Sequence, residues 1–256
     1  VIHVPTAPWT HLLFDALAWT SSALLGARLL SWRLREAGAA LANTIGPAYF
    51  FSLVAGAVPG AWLAGSFNTL RGFATSLSHS VVGALAGAII GVEIYKAIRG
   101  VKGSTGGIFV GPFCLGVAIG RWGCLFAGLP DLTYGTPTML PWGVDLGDGV
   151  ARHPVQIYES LAMTVFLAIY LVALARRKNW ADRRSFYAMV AWYGAQRFIW
   201  EFFKPYPKLL GPFNVFHTIC LGISVYGCVL FARDFCRERD AQERAISVLR
   251  ANDQPV

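Results

Sequence analysis

Three short stretches of this sequence hold residues that could do chemistry. The first is Gly120-Arg121-Trp122-Gly123. An arginine set between glycines at a helix end can fork onto a phosphate while the backbone comes close, and it stays charged in an apolar setting. The second is Arg152-His153-Pro154-Val155-Gln156-Ile157-Tyr158-Glu159. Pro154 suits a helix start, and Gln156 and Glu159 then share a face. The third runs from Tyr193 through Arg197 and Glu201 to Pro205, with those three polar residues at i, i+4 and i+8 on an aromatic helix. An Arg–Glu pair at that spacing is commonly structural, and Arg121 alone also reads as a snorkelling interfacial side chain. Together, Arg121 and Arg197 are the two cations needed to clamp one phosphate. His153 is the candidate base, since imidazole is the side chain best suited to proton transfer near neutral pH.

These residues need a scaffold, and composition says which kind. Of 256 residues 55% are apolar, only 14% are charged, and the mean hydropathy is +0.49. A soluble domain carries about 25% charged residues, so this chain reads as an all-α polytopic membrane protein in one integral membrane domain. Apolar runs of spanning length fall at roughly 11–30, 41–65, 79–98, 108–126, 155–175, 186–203 and 212–231, which predicts seven transmembrane helices. The first run is expected to be a retained span, because it lacks the charged start and cleavage site of a secretory signal. Sixteen of the 22 Lys and Arg fall on one side under this alternation, against Arg71, Arg121, Arg152, Arg197, Lys204 and Lys208 on the other. That bias predicts the N-terminus outside and the C-terminus in the cytoplasm.

The net charge of +8 then reads as topology, and nucleic-acid binding is not expected. An outer loop over residues 129–151, rich in Gly, Pro and Asp, either closes a site from above or merely connects two helices. A charged tail, 234–256, continues into the cytoplasm. Gly83, Gly87 and Gly91 recur every four residues, a stripe that either packs helices closely or floors a ligand groove. The five cysteines show no metal-ligand spacing, so no metal and no cofactor are expected.

The three motifs, in this order and on these helix ends, resemble the prolipoprotein diacylglyceryl transferase family. The matching elements are GR-x-G at Gly120 to Gly123, RHP-x-Q-x-YE at Arg152 to Glu159 and YG-x-x-RF-x-x-EFF at Tyr193 to Phe203. The likeness covers roughly Gly56 to Tyr226. It implies a seven-helix protein of the bacterial cytoplasmic membrane that moves the diacylglyceryl group of phosphatidylglycerol to a lipobox cysteine of a preprolipoprotein, releasing glycerol phosphate. The sequence departs from the family pattern at four positions. Cys124 and Ala127 stand where the family has asparagines, Leu129 where it has a glutamate, and Val82 where it has a histidine. His79 lies one turn before Val82 and is the expected partial substitute, among the substrate-binding residues.

The resemblance implies that Arg121 and Arg197 hold the lipid phosphate and stabilise the leaving group. Glu201 then orients Arg197, while Tyr193 and Gln156 bind the headgroup. Glu159 orients either arginine. Gly120, Gly123, Arg152 and Tyr158 complete the expected binding residues. Two other readings stay open at this point. One is an enzyme of the same fold using phosphatidylglycerol with another acceptor, or transferring its glycerophosphate headgroup. The other is a phospholipid-binding protein without catalysis.

Overall fold

The computed structural model describes residues 1–42, 46–70, 77–209 and 211–252; Arg71 and the last four residues of the expected tail lie outside them. Each of the seven apolar runs holds a long helix among the described residues. The long helices are α1 (Thr10–Trp32), α3 (Pro47–Leu70), α4 (Val81–Arg99), α5 (Val110–Ala127), α6 (Val155–Ala175), α8 (Ser185–Trp200) and α9 (Val215–Asn252). Two short helices sit in connections, α2 (Arg35–Ala40) and α7 (Asn179–Arg183).

Among the described residues, five helices are long and apolar enough to cross a membrane: α3, α4, α5 with its preceding turn, α6 and α9. This is two fewer than the run count. The two that fall short do so for visible reasons. Helix α8 has 16 residues, because the chain tightens into a 3-10 turn at Glu201–Phe203. Helix α1 has 23 residues, but His11, Asp15, Thr20, Ser21, Ser22 and Arg28 dilute its apolar character.

The helices pack in neighbouring pairs, α1 on α5, α3 on α4, α5 on α6 and α8 on α9. The glycine stripe of α4 packs against α3. A Cβ on Gly60 would meet the Cα of Gly87 at 2.9 Å, and one on Gly56 would meet the Gly87 carbonyl carbon at 2.8 Å. Small residues here let two backbones touch, so close packing is the role of the stripe. The main apolar core, which includes Val82, Met163, Tyr170, Met189, Val190 and Cys220, lies among α4, α5, α6, α8 and α9. Tyr226 on α9 donates to Glu93 on α4 at 2.7 Å. Helix α9 has 38 residues and continues well past its apolar part. At 1.5 Å per residue it is ~57 Å long, nearly twice a ~30 Å hydrocarbon core.

The loop between α5 and α6 is ordered by a small sheet. Strand β1 (Ile2–His3) pairs in parallel with β2 (Val144–Asp145), which pairs antiparallel with β3 (Ala151–Arg152). Asp145 organises the turn between β2 and β3. Its Oδ1 accepts from the amides of Gly147, Asp148 and Gly149 at 2.9, 3.1 and 3.0 Å, and its Oδ2 lies 3.0 Å from His3 Nδ1. Those hydrogen bonds, the Gly147 amide foremost, hold the Asp145 carboxyl below its ordinary value.

Candidate functional site

Helices α5, α6 and α8 deliver three of the predicted groups to one buried point. Glu159, in the second turn of α6, is fully buried and gathers three cations. Its Oε2 lies 2.5 Å from Arg121 Nε and accepts from Arg197 Nη1 at 2.8 Å, while its Oε1 accepts from Lys204 Nζ at 2.6 Å. Glu201 supplies the second carboxylate. Its Oε1 lies 2.8 Å from Arg197 Nε, off the line of that N–H, and accepts from Lys204 Nζ at 3.1 Å. Its Oε2 accepts from Asn214 Nδ2 at 3.3 Å. The 3-10 turn explains this convergence, because tightening the chain after Trp200 brings Glu201 and Lys204 back under Arg197.

Three buried cations against two carboxylates leave an excess of one positive charge when all are ionised. Buried charge is costly unless paired, and an anion offers the missing pairing. Both arginines reach the wall of a cavity of about 700 Å³. Most of that wall is apolar, including Leu53, Leu85, Ile89, Phe113 and Phe216, with Gly120, Asn68 and His79 among the other lining residues. Tyr206, in the loop after Glu201, also lines the cavity, and burial pushes its phenol well above its ordinary value of 10. The cavity therefore combines a mostly apolar wall with two arginines, which suits an amphiphile with an anionic headgroup.

The structure does not bring every expected residue to this space. His153 packs against Phe203 with ring centroids 4.8 Å apart and the rings tilted, and it is not part of the cavity wall. Arg152 is held in the outer loop by a bidentate pair to Asp148 at 2.6 and 2.7 Å, with Tyr134 beneath it. Tyr158 accepts from Trp142 Nε1 at 2.9 Å and faces a separate apolar pocket. Gln156 and Tyr193 are buried close by in the helix bundle. Among the described residues, the Gln156 Nε2 and Tyr193 hydroxyl atoms have no hydrogen-bond partner. Gly123 faces α1, where a Cβ would meet the Cβ of Phe14 at 2.7 Å.

That approach of α1 to α5 builds a second cluster on the cavity wall. His11 Nε2 lies 3.1 Å from Asp131 Oδ1 and 3.8 Å from Cys124 Sγ, and His11 Nδ1 lies 2.9 Å from Asp15 Oδ2. Thr133 Oγ1 donates to Asp131 Oδ2, and Arg121 Nη1 lies 3.8 Å from Cys124 Sγ. One donor atom from each of His11, Cys124 and Asp131 lies within 4.8 Å of the others, so these three could hold a metal ion. Sequence reasoning missed this cluster and Lys204. The available signals were slight: His11 and Asp15 sit four apart in the first run, and Lys204 follows Glu201 by three.

A family profile described as "Prolipoprotein diacylglyceryl transferase" matches residues 12–233. Similar curated proteins include the phosphatidylglycerol–prolipoprotein diacylglyceryl transferases of Finegoldia magna and Geobacter sulfurreducens. The first is 36% identical over 48% of each chain, the second 34% over 45% of each. The enzyme of the same name from Polynucleobacter asymbioticus is 27% identical over 77% of this chain and 74% of its own. For the first two, the chain spans about half the length of the relative it matches. No solved structure matches. The profile match, across nearly the whole helical region that carries Arg121, Glu159 and Arg197, places this chain in the prolipoprotein diacylglyceryl transferase family.

Proposed function

We propose that this protein transfers the diacylglyceryl group of phosphatidylglycerol to the lipobox cysteine of a preprolipoprotein, releasing glycerol phosphate. The observation that carries this reading is the cavity, mostly apolar in its lining, with Arg121 and Arg197 on its wall. Acyl chains occupy the apolar part, and the phosphate lies at the guanidinium groups. Glu159 fixes both arginines from behind, Glu201 sets Arg197, and Lys204 balances the two carboxylates. Attack by the acceptor thiolate on the glyceryl carbon breaks its bond to the phosphate oxygen. Negative charge grows on that oxygen, where preorganised cations stabilise it most. His79 and Gly120 line the same space and shape the headgroup end.

In this reading α1 and α8 also cross the bilayer, giving seven spans. The positive-inside bias sets the N-terminus outside and the tail in the cytoplasm, in a bacterial cytoplasmic membrane. The outer loop over 129–151 contributes Asp131 and Thr133 to the cavity wall, which supports its role as a cover.

The test uses purified protein in phosphatidylglycerol liposomes with a lipobox peptide. Expected products are glycerol phosphate and a peptide heavier by one diacylglyceryl group, with both lost in Arg121→Ala and Arg197→Ala. No product from the wild type, while another family member reacts in parallel, would overturn the proposal.

A further inference from the structure

The His11–Cys124–Asp131 cluster brings one nitrogen, one sulfur and one oxygen donor within 4.8 Å of one another. A tetrahedral ion with ligand bonds of about 2.0–2.3 Å sets its ligand atoms about 3.3–3.8 Å apart. Here Asp131 Oδ1 and Cys124 Sγ stand 3.1 and 3.8 Å from His11 Nε2. The remaining atoms of the two harder ligands already have partners. His11 Nδ1 faces Asp15, and Asp131 Oδ2 accepts from Thr133. Outer partners of this kind fix the tautomer and ring orientation of a metal-bound histidine. The start of α1 meets the end of α5 and the turn after it here, and all three residues line the cavity that holds Arg121 and Arg197. A simple His–Asp ion pair accounts for two of the three donors; the thiol at the third corner also lies 3.8 Å from Arg121 Nη1, which ties the cluster to the cationic site.

We infer that His11, Cys124 and Asp131 bind one zinc ion whose fourth position takes the acceptor's cysteine thiol. The inference rests on the transferase reading for the identity of that thiol, but not for the metal. Nitrogen, sulfur and oxygen donors in a tetrahedral set with an open side suit Zn²⁺. A thiol that coordinates such an ion loses its proton outright. The thiolate sulfur then forms a bond to the glyceryl carbon as the carbon–oxygen bond breaks. The bonding pair leaves on the phosphate oxygen beside Arg121, and the thiol proton passes to solvent. The metal thus supplies the activation that a general base gives elsewhere, in a chain whose His153 lies off the cavity.

The experiment reads the metal first, without substrate. Purified wild-type protein in nanodiscs, stripped by chelation and titrated with Co²⁺, should bind one ion per chain and show a thiolate-to-cobalt charge-transfer band. Cys124→Ser should abolish that band. Asp131→Asn, a milder change, should weaken cobalt binding at least tenfold while leaving the thermal unfolding curve of the metal-free protein intact. Cys228→Ser, at an exposed position on α9, should leave the spectrum unchanged. A lipobox peptide should then shift the spectrum, and the same peptide with serine for cysteine should not.

Absence of stoichiometric metal, persistence of the band in Cys124→Ser, or a cobalt spectrum blind to the thiol peptide would each overturn the inference. A cobalt site that responds to the peptide, in a protein that transfers no lipid, would instead overturn the proposed function and leave the metal site standing.

Discussion

Glu159→Gln tests the charge arrangement at its centre. The substitution keeps the shape of the side chain and removes one negative charge. The site then holds Arg121, Arg197 and Lys204 against Glu201 alone, and the excess of positive charge rises from one to two. Removing one partner of a buried ion pair costs about 3–5 kcal/mol, because the other charge is left uncompensated. Arg121 depends most on Glu159, since Glu159 is its carboxylate partner among the described residues. At ~2–4 °C per kcal/mol for a chain of this size, thermal unfolding should fall by roughly 6–20 °C. The variant pair Glu159→Gln with Lys204→Met restores the excess to one. It should therefore lose less than the two single substitutions combined, by about 1–3 kcal/mol. The assay is thermal unfolding in nanodiscs by intrinsic tryptophan fluorescence across the full double-mutant cycle. Additive losses, or a Glu159→Gln protein as stable as wild type, would refute the reading of this knot as a charge-balanced unit.

Other consequences follow from single contacts. Arg121→Lys and Arg197→Lys each keep the charge but lose the planar fork, and transfer should fall by ~10²–10³-fold; product formation from phosphatidylglycerol liposomes reads this, and unchanged rates would show that the fork is not used. Gly123→Val places methyl groups against Phe14 and the His11 backbone, which should cost about 1–3 kcal/mol by overpacking. Gly120→Ala, with open space around it, should leave unfolding temperature unchanged, and equal effects of the two would contradict the packing of α1 on α5. Because the Asp145 carboxyl is held below its ordinary value of 3.8, its contribution is full above that value and fades as pH falls through the lowered one. Hydrogen-exchange protection of the Gly147 and Gly149 amides should thus persist at mildly acidic pH and collapse only below it, whereas Asp145→Asn should weaken it at neutrality.

The helices were legible because each apolar run needs no partner to be recognised; length alone defines it. The first run was read as 11–30 and α1 spans Thr10–Trp32, while the fifth coincides with α6 at Val155–Ala175. Arg121, Glu159, Arg197 and Glu201 were legible for a related reason, since ionisable groups inside apolar helices must find one another. Lys204 was not, because three residues beyond Glu201 it sat among loop charges that seemed to report only topology. His153 shows the opposite failure. Its neighbours in sequence pointed to the site, but Pro154 starts α6 and the pairing of Arg152 in β3 turns the preceding residues into the outer loop. The His11–Cys124–Asp131 cluster depends on contacts across more than a hundred residues, and local spacing carries no trace of those.

The departures from the family pattern gain a physical sense from these positions. Val82 is fully buried in the apolar core, so that site no longer offers a titratable group. Leu129, where the family has a glutamate, packs with Leu125, Val144 and Leu146 and anchors the turn that carries Asp131. The carboxylate of Asp131, two residues further along, faces His11. Cys124 puts a thiol where the family has an amide, and it touches both His11 and Arg121. The cationic end and the His/Cys/Asp wall thus meet at one helix, α5, one suited to the leaving group and the other to the nucleophile. Cys124→Asn restores the family residue at that junction but removes the sulfur that joins the two ends. If the wall acts as argued, this reversion should lower lipid transfer at least tenfold and abolish thiolate-bound cobalt. A rate equal to or above wild type would mean that Cys124 is a tolerated substitution and that the nucleophile is activated elsewhere.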